Sequence, residues 1–128
     1  MPDGVWQIGE VAARTELSIK TIRHYGEVGL VVPSARSAGG FRLYTAHDID
    51  RLLAIRRMKP LGFTLDEMRH LLSALDTVAS NDASAADLES ARAYLADCHA
   101  RAVQACEMLT RQLSYAAELT EQLADFSR

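Results

Sequence analysis

The sequence predicts a mainly helical protein, in which a small domain of short helices and one β-hairpin precedes a single long helix. Apolar residues recur at helical spacing in four short segments of the first part. A Gly-Gly turn separates two runs of β-forming residues between the second and third of these segments. From residue 85 onward, about 40 residues contain no Gly or Pro. We therefore expect a compact domain at residues 1–76, a linker at 77–84 and the long helix at 85–128.

The first two helical segments lie close together. Residues 8–14, IGEVAAR, predict a short helix with one apolar face. Ser18 is a favourable N-cap for a second helix, SIKTIRHYGEV, and Gly29 ends it. Only residues 15–17 connect the two helices. This arrangement predicts a helix-turn-helix.

The stretch LVVPSARSAGGFRLY predicts a small hairpin. Its expected strands are residues 31–33 and 41–44, joined by a turn at 37–40. The two glycines of the turn permit the positive φ that a tight hairpin connection needs. Arg36 and Arg42 flank this turn, so the hairpin presents positive charge.

Two further helices begin with capping boxes, in which a Thr side chain bonds the backbone three residues on and a carboxylate returns the bond. Thr45 and Asp48 start the third helix, and Thr64 and Glu67 start the fourth. A Pro-Leu-Gly sequence at 60–62 stops the third helix.

The long helix carries a heptad-like apolar pattern. One row recurs every seven residues, and a second, less regular row lies four residues after each member of the first. A helix of about 40 residues is about 60 Å long. Because its own chain offers nothing to bury such a stripe, we expect a partner, most simply a second copy. The expected dimerisation residues are Leu88, Leu95, Ala102, Cys106, Leu109, Leu113 and Leu123.

The net charge of −3 is divided unevenly along the chain. Residues 1–72 contain ten Lys or Arg and eight Asp or Glu, a balance of +2. Residues 73–128 contain four and nine, a balance of −5. An anionic partner should therefore bind the first part of the chain.

Several classes of protein are disfavoured by the sequence. No apolar run reaches the roughly 18 residues of a membrane span, so we expect no membrane partner. The N-terminus MPDGVWQIGE has neither the basic nor the apolar region of a signal peptide, which predicts a cytoplasmic location. No Ser/His/Asp or HExxH arrangement occurs, so we expect neither an enzyme nor a cofactor.

A series of motifs is more specific than the helix-turn-helix alone. It comprises IGEVA, Arg23-His24-Tyr25, Gly29-Leu30, the hairpin from Arg36 to Tyr44, and Leu61-Gly62-Phe63 followed by TLDE. In this order and spacing, residues 6–75 closely resemble the DNA-binding domain of MerR-family transcriptional regulators. The resemblance implies a winged helix-turn-helix domain with a β-hairpin wing, followed by a long helix that dimerises as an antiparallel coiled coil.

The resemblance and the helix geometry together predict the residues that contact DNA. Lys20 and Arg23 lie off the apolar face, one turn apart, so both can reach one groove. Arg23 can read guanine or clamp a phosphate. By resemblance, the basic cluster at 56–59 is a second wing that touches flanking phosphates. The predicted DNA-binding residues are Ser18, Lys20, Thr21, Arg23, His24, Tyr25, Arg36, Gly40, Phe41, Arg42, Tyr44, Arg56, Arg57 and Lys59. For Tyr25, packing in the core is an equal alternative, because it also falls on the apolar face of the second helix.

The resemblance also implies a mechanism. A homodimer binds a pseudo-palindromic site inside a promoter and distorts the spacer DNA so that RNA polymerase can use both promoter elements. The cost of the distortion is offset by phosphate contacts. The implied partners are double-stranded promoter DNA, a second copy of the chain and RNA polymerase, and no motif identifies an inducer.

Cys98, His99 and Cys106 suggest a second hypothesis, a metal- or thiol-redox-responsive regulator. Metal-sensing members of the family carry two cysteines at a similar spacing, but around a loop. The intervening HARAVQA favours a helix, which would separate the thiols by about 12 Å along its axis. Thiolates that share one metal lie within about 4–5 Å of each other. One chain therefore cannot chelate with both.

The sensor hypothesis stays open across a dimer. If antiparallel long helices cross near Ala102, Cys98 of one copy faces Cys106 of the other.

A third hypothesis for the function is a coiled-coil interaction module whose winged helix binds protein rather than DNA.

Overall fold

Five α-helices and three short strands occur in residues 4–128, the part of the chain described by the computed structural model. One compact unit ends at Ser73 and a second begins at Ala74. The fold is mainly helical with a small antiparallel sheet, as predicted. In chain order, the elements are β1 (Val5–Trp6), α1 (Ile8–Thr15), α2 (Ile19–Glu27), β2 (Ala35–Arg36), β3 (Arg42–Thr45), α3 (Ala46–Met58), α4 (Leu65–Ala79) and α5 (Ala85–Phe126).

The helix-turn-helix forms where the sequence predicts it. The turn between α1 and α2 is made by Glu16, whose φ of 57° is left-handed. Thr15, just before it, is fully buried and its hydroxyl donates to the carbonyl of Val11 at 2.8 Å. Ser18 is the N-cap of α2, because its hydroxyl oxygen accepts a hydrogen bond from the backbone N–H of Thr21 at 3.0 Å.

The sheet differs from the prediction in two ways. Residues 31–33 are not a strand, because the N–H of Val31 bonds the carbonyl of Tyr25 at the end of α2 and Pro33 has no N–H to donate. The strand begins at Ala35 instead, which pairs with Leu43. The additional strand β1 pairs antiparallel with β3, which gives the order β1-β3-β2. Two residues are too few to reveal such a strand from sequence alone.

The wing turn has the predicted position. The N–H of Ser37 donates to the carbonyl of Phe41, and the N–H of Gly40 donates to the carbonyl of Ser37, both at 2.9 Å. Of the two glycines in this turn, Gly40 has the positive φ, +82°. The hairpin therefore closes tightly, and Phe41 directly follows the turn.

Both capping boxes are present. Thr45 and Asp48 exchange bonds at the start of α3, and Thr64 and Glu67 do so before α4. A single 3₁₀ turn follows α3 and ends at Gly62. The fourth helix runs to Ala79, three residues into the predicted linker, because no helix-breaking residue precedes the Ser-Asn-Asp sequence at 80–82.

The core of the first unit lies where α1 meets α2, α3 and β3. Side chains from all four elements are almost completely inaccessible there. They are Val11, Ile22, Leu43, Leu52 and Ile55. This shared core holds the wing strand β3 and the helix α2 in fixed positions relative to each other.

The long helix α5 contains 42 residues and begins at the N-cap Ser84. Its first turns include the buried Ala91, whereas eight large apolar side chains from Val103 onward are exposed. These exposed residues are Val103, Met108, Leu109, Leu113, Tyr115, Leu119, Leu123 and Phe126. None of the described helices combines the length and apolarity needed to cross a membrane.

Candidate nucleic-acid interface

The second helix separates its charged side chains from its apolar ones. Ile22 and Tyr25 face the core, with 0% and 3% of their surface exposed. Lys20, Arg23 and His24 are exposed on the remaining surface. The helix is thus anchored on one face and presents cationic and polar groups on the other, as a recognition helix must.

A concavity of about 400 Å³ joins this helix to the wing. Arg23 from α2 and Arg42 and Tyr44 from β3 line it, which brings together residues 19 to 21 positions apart in the chain. The remaining lining residues are Ile8, Gly26, Glu27 and Pro33. The two guanidinium groups and the phenol offer donors for charge-assisted hydrogen bonds to phosphate, while the carboxylate of Glu27 adds one negative group to the same lining.

Tyr44 is a neutral hydrogen-bond donor at this place. Burial raises the pKa of its phenol above the ordinary value of 10.0, and the nearby carboxylate of Asp48 raises it further. Arg42 and Arg23 act on the same phenol in the opposite direction, because positive charge favours the phenolate. Tyr44 is almost fully buried, so only a small part of its surface is open to a DNA contact.

Other predicted contact residues lie along the wing and the start of α2. Arg36 is exposed, and its Nη1 donates to the carbonyl of Gly40 at 3.3 Å. Phe41, directly after the wing turn, is 68% exposed. Ser18 is exposed and Thr21 is half-buried, and the two are linked through their side chains. Arg36 pairs with Arg42, which lines the concavity with Arg23, and Ser18 and Thr21 belong to the same helix as Arg23.

Tyr25 and Arg56 are both engaged with protein, and the sequence offered such a place as an alternative for Tyr25 alone. Tyr25 belongs to the core, because it stands one turn from Ile22 on the apolar face of α2. Arg56 is half-buried, and its Nη1 donates to the carbonyl of Thr15 at 2.7 Å. Within the predicted second wing, Arg57 and Lys59 are the exposed cations.

Sequence reasoning also missed the residue that holds the base of the wing. One carboxylate oxygen of the buried Asp48, Oδ2, accepts hydrogen bonds from the N–H and the hydroxyl of Ser34, at 3.1 and 2.7 Å. The same oxygen accepts the N–H of Thr45 at 2.9 Å. Ser34 precedes β2 and Thr45 ends β3, so one side chain ties both legs of the hairpin to α3. The capping-box pattern identified Asp48 only as a helix cap.

The cysteines lie on an unbroken helix. Because α5 is continuous through Cys98 and Cys106, the two thiols of one chain are about 12 Å apart along its axis, as expected. Both are free, with Cys98 half-buried and Cys106 exposed. In the part of the chain that the structure describes, no three His, Cys, Asp or Glu residues are grouped so that they could hold a metal ion.

Comparisons with known proteins agree with this fold. The family model described as MerR HTH family regulatory protein matches residues 6–75, and the one described as MerR, DNA binding matches residues 49–126. The HTH-type transcriptional regulator CueR of Vibrio cholerae is 34% identical over 119 residues, which cover 93% of this chain and 76% of CueR.

Two solved structures share both fold and sequence with the chain. The N-terminal part of MtaN, the multidrug transporter activator of Bacillus subtilis, is 32% identical with a TM-score of 0.51, over 84% of this chain and 97% of that one. PbrR691 from Ralstonia metallidurans, solved in complex with lead(II), is 30% identical with a TM-score of 0.57, over 91% and 84%. The chain thus belongs to the MerR family of helix-turn-helix proteins and is a DNA-binding transcriptional regulator rather than an enzyme.

Proposed function

We propose that the protein binds a pseudo-palindromic promoter site as a homodimer, with α2 of each copy in the major groove and each wing on the adjacent backbone. The observation that carries this proposal is the concavity shared by Arg23, Arg42 and Tyr44. It supports a phosphate contact made jointly by the recognition helix and the wing, which would fix the register of the protein on the duplex. Residues 1–76 are the DNA-binding domain in this proposal.

The exposed residues divide into two roles. Lys20 lies toward the start of α2, where recognition helices meet base edges, and we assign it to base contacts together with Ser18 and Thr21. Arg36 and Phe41 extend along the wing and contact the backbone. The remaining members of the set assigned to DNA are His24, Gly40, Arg57 and Lys59.

A salt titration tests this assignment. We expect the protein to bind the DNA upstream of its own gene much more tightly than a scrambled duplex of the same length. The logarithm of the binding constant should fall linearly with the logarithm of the salt concentration, with a slope of about −0.9 for each phosphate contacted. Equal affinity for both duplexes, or binding insensitive to salt, would contradict the proposal.

The dimer in this proposal forms through α5. Leu109 belongs to the first row of the heptad pattern, which continues to Leu123, and Leu113 belongs to the second row; their side chains are 41% and 70% exposed. Pairing with a second copy would remove this apolar surface from water and place two DNA-binding domains on one site. The distortion of the promoter also depends on the dimer, because two DNA-binding domains fixed to one dimer can distort the spacer DNA between them so that RNA polymerase can use the promoter.

Replacing both Leu109 and Leu113 with aspartate should produce monomers. Charged groups cannot be buried in such an interface without compensation. We expect sedimentation equilibrium to give twice the chain mass for the parent protein and the single chain mass for the variant. The matched variant with aspartate at Gln104 and Ser114, two exposed positions away from both apolar rows, should remain dimeric, and a monomeric parent protein would contradict the dimer.

The helical setting of the cysteines favours a regulator whose DNA binding does not depend on them. We expect the double variant with alanine at Cys98 and Cys106 to bind the upstream DNA within about twofold of the parent protein, since a free cysteine behaves as a small apolar residue and alanine keeps a small apolar side chain at both positions. Titration with zinc(II), lead(II) or the thiol oxidant diamide should then act equally on both proteins. A response present in the parent and lost in the variant would instead support the sensor hypothesis.

A further inference from the structure

Two arginines reach back to the helix-turn-helix from later helices. Nη1 of Arg56, on α3, donates to the carbonyl of Thr15 at 2.7 Å. Nη2 of Arg69, on α4, donates to the carbonyl of Val28 at 2.8 Å. Each contact spans 41 residues of the chain, so neither follows from local structure.

The two carbonyls flank the recognition helix. Thr15 ends α1 immediately before the left-handed turn at Glu16, and Val28 is the C-cap of α2. The last carbonyls of a helix have no partner within it, and they carry the negative end of the helix dipole. A guanidinium group therefore binds them favourably, and here it does so on both sides of α2.

Acidic neighbours orient the two guanidinium groups. Nη1 of Arg69 also bonds Oδ1 of Asp66 at 3.0 Å, on the same helix. Nη1 of Arg56 lies 3.9 Å from Oε2 of Glu16. The side chain of Arg69 is 50% exposed and that of Arg56 is 38% exposed, so solvent weakens both ion pairs and their contribution to stability is small. The two arginines matter more for the position of α2, since each one holds the backbone at one end of this helix.

We propose that Arg56 and Arg69 are positioning residues that set the angle at which α2 enters the major groove. This inference rests on the proposed DNA-binding surface. For Arg56, this positioning role replaces the phosphate contact that the sequence predicts, because its guanidinium group is bonded to the carbonyl of Thr15. It predicts that both residues control discrimination between DNA sequences without adding to the number of phosphates neutralised.

Salt dependence separates positioning from phosphate contact. A residue that neutralises one phosphate contributes about 0.9 to the slope of the logarithm of the binding constant against the logarithm of the salt concentration. A positioning residue contributes nothing to that slope. Its loss lowers affinity for the specific site and leaves affinity for scrambled DNA unchanged.

The experiment compares Arg56→Met and Arg69→Met with the matched variant Arg57→Met, an exposed cation beside Arg56 on the same helix. We expect the first two to lower the ratio of specific to non-specific affinity by roughly tenfold, as expected for one charge-assisted hydrogen bond. Their salt slopes should equal that of the parent protein. Arg57→Met should reduce the slope by about 0.9 with little change in the ratio.

A second substitution at Arg56 keeps the inference testable if Arg56→Met does not fold. Arg56→Gln is neutral but retains an N–H₂ group that can donate to a carbonyl, so it should preserve more of the affinity ratio than Arg56→Met at an unchanged slope. Thermal melting checks that each variant is folded at the assay temperature. A slope reduced by Arg56→Met or Arg69→Met, or equal losses on both duplexes, would overturn the inference. A parent protein without sequence preference would instead refute the proposed function.

Discussion

Replacing Arg23 with alanine is expected to weaken binding to the upstream DNA by roughly 10- to 100-fold, the effect of losing charge-assisted hydrogen bonds to one phosphate. Arg23 shares its concavity with Arg42 and Tyr44 on the wing, so its loss removes the group that joins the recognition helix to the wing. Because a phosphate carries no sequence information, affinity for scrambled DNA should fall by a similar factor. Titration of fluorescent duplexes at several salt concentrations measures both effects.

The salt slope should also fall by about 0.9 when Arg23 is removed. Arg111 on α5 provides the control, because it is an exposed arginine outside the proposed surface and its replacement should leave binding unchanged. Lys20→Ala should behave differently from both, with a larger loss on the specific duplex than on the scrambled one. A loss for Arg23→Ala confined to the specific duplex would mean that this guanidinium reads a base.

Replacing Asp48 with alanine is expected to reduce the free energy of unfolding by about 3 kcal/mol. Its Oδ2 accepts three hydrogen bonds, and without it the N–H groups of Ser34 and Thr45 lose their acceptor. The capping box of α3 is lost as well. Urea denaturation measures the change, and Trp6, the single tryptophan of the chain, reports on the sheet because it pairs with Tyr44.

Asp50→Ala is the matched control for Asp48→Ala, because Asp50 is an exposed carboxylate on the same helix. Its effect should stay within about 0.5 kcal/mol. The Ser34→Ala variant keeps the backbone N–H bond to Asp48 but removes the hydroxyl bonds to Asp48 at 2.7 Å and to the Thr45 hydroxyl at 3.2 Å, and it should cost about 1 kcal/mol. Asp48→Ala with the stability of Asp50→Ala would show that the wing is held by packing alone.

The local signals in the sequence predicted the helices well, because caps depend on residues three positions apart. Ser18, Thr45 and Thr64 each make the predicted cap. The strand before the wing was misplaced, since the N–H of Val31 is drawn to the end of α2 by a contact that β propensity does not describe.

The candidate surface was predictable to a similar degree. Helical periodicity placed Lys20 and Arg23 opposite the apolar face, and both are exposed. Residue type alone could not distinguish Arg56 from Arg57, because the difference is a bond to Thr15, 41 residues earlier in the chain. Such pairings appear only when the fold brings α3 against the helix-turn-helix.

Hydroxyl-radical footprinting of the parent protein on the DNA upstream of its own gene tests the central claim most directly, namely that two copies of this surface act on one promoter site. We expect two protected segments related by a dyad, on one face of the duplex, with centres a whole number of helical turns apart, each turn being about 34–36 Å. The complex should contain two chains. A single protected segment, or protection that does not depend on sequence, would contradict the account.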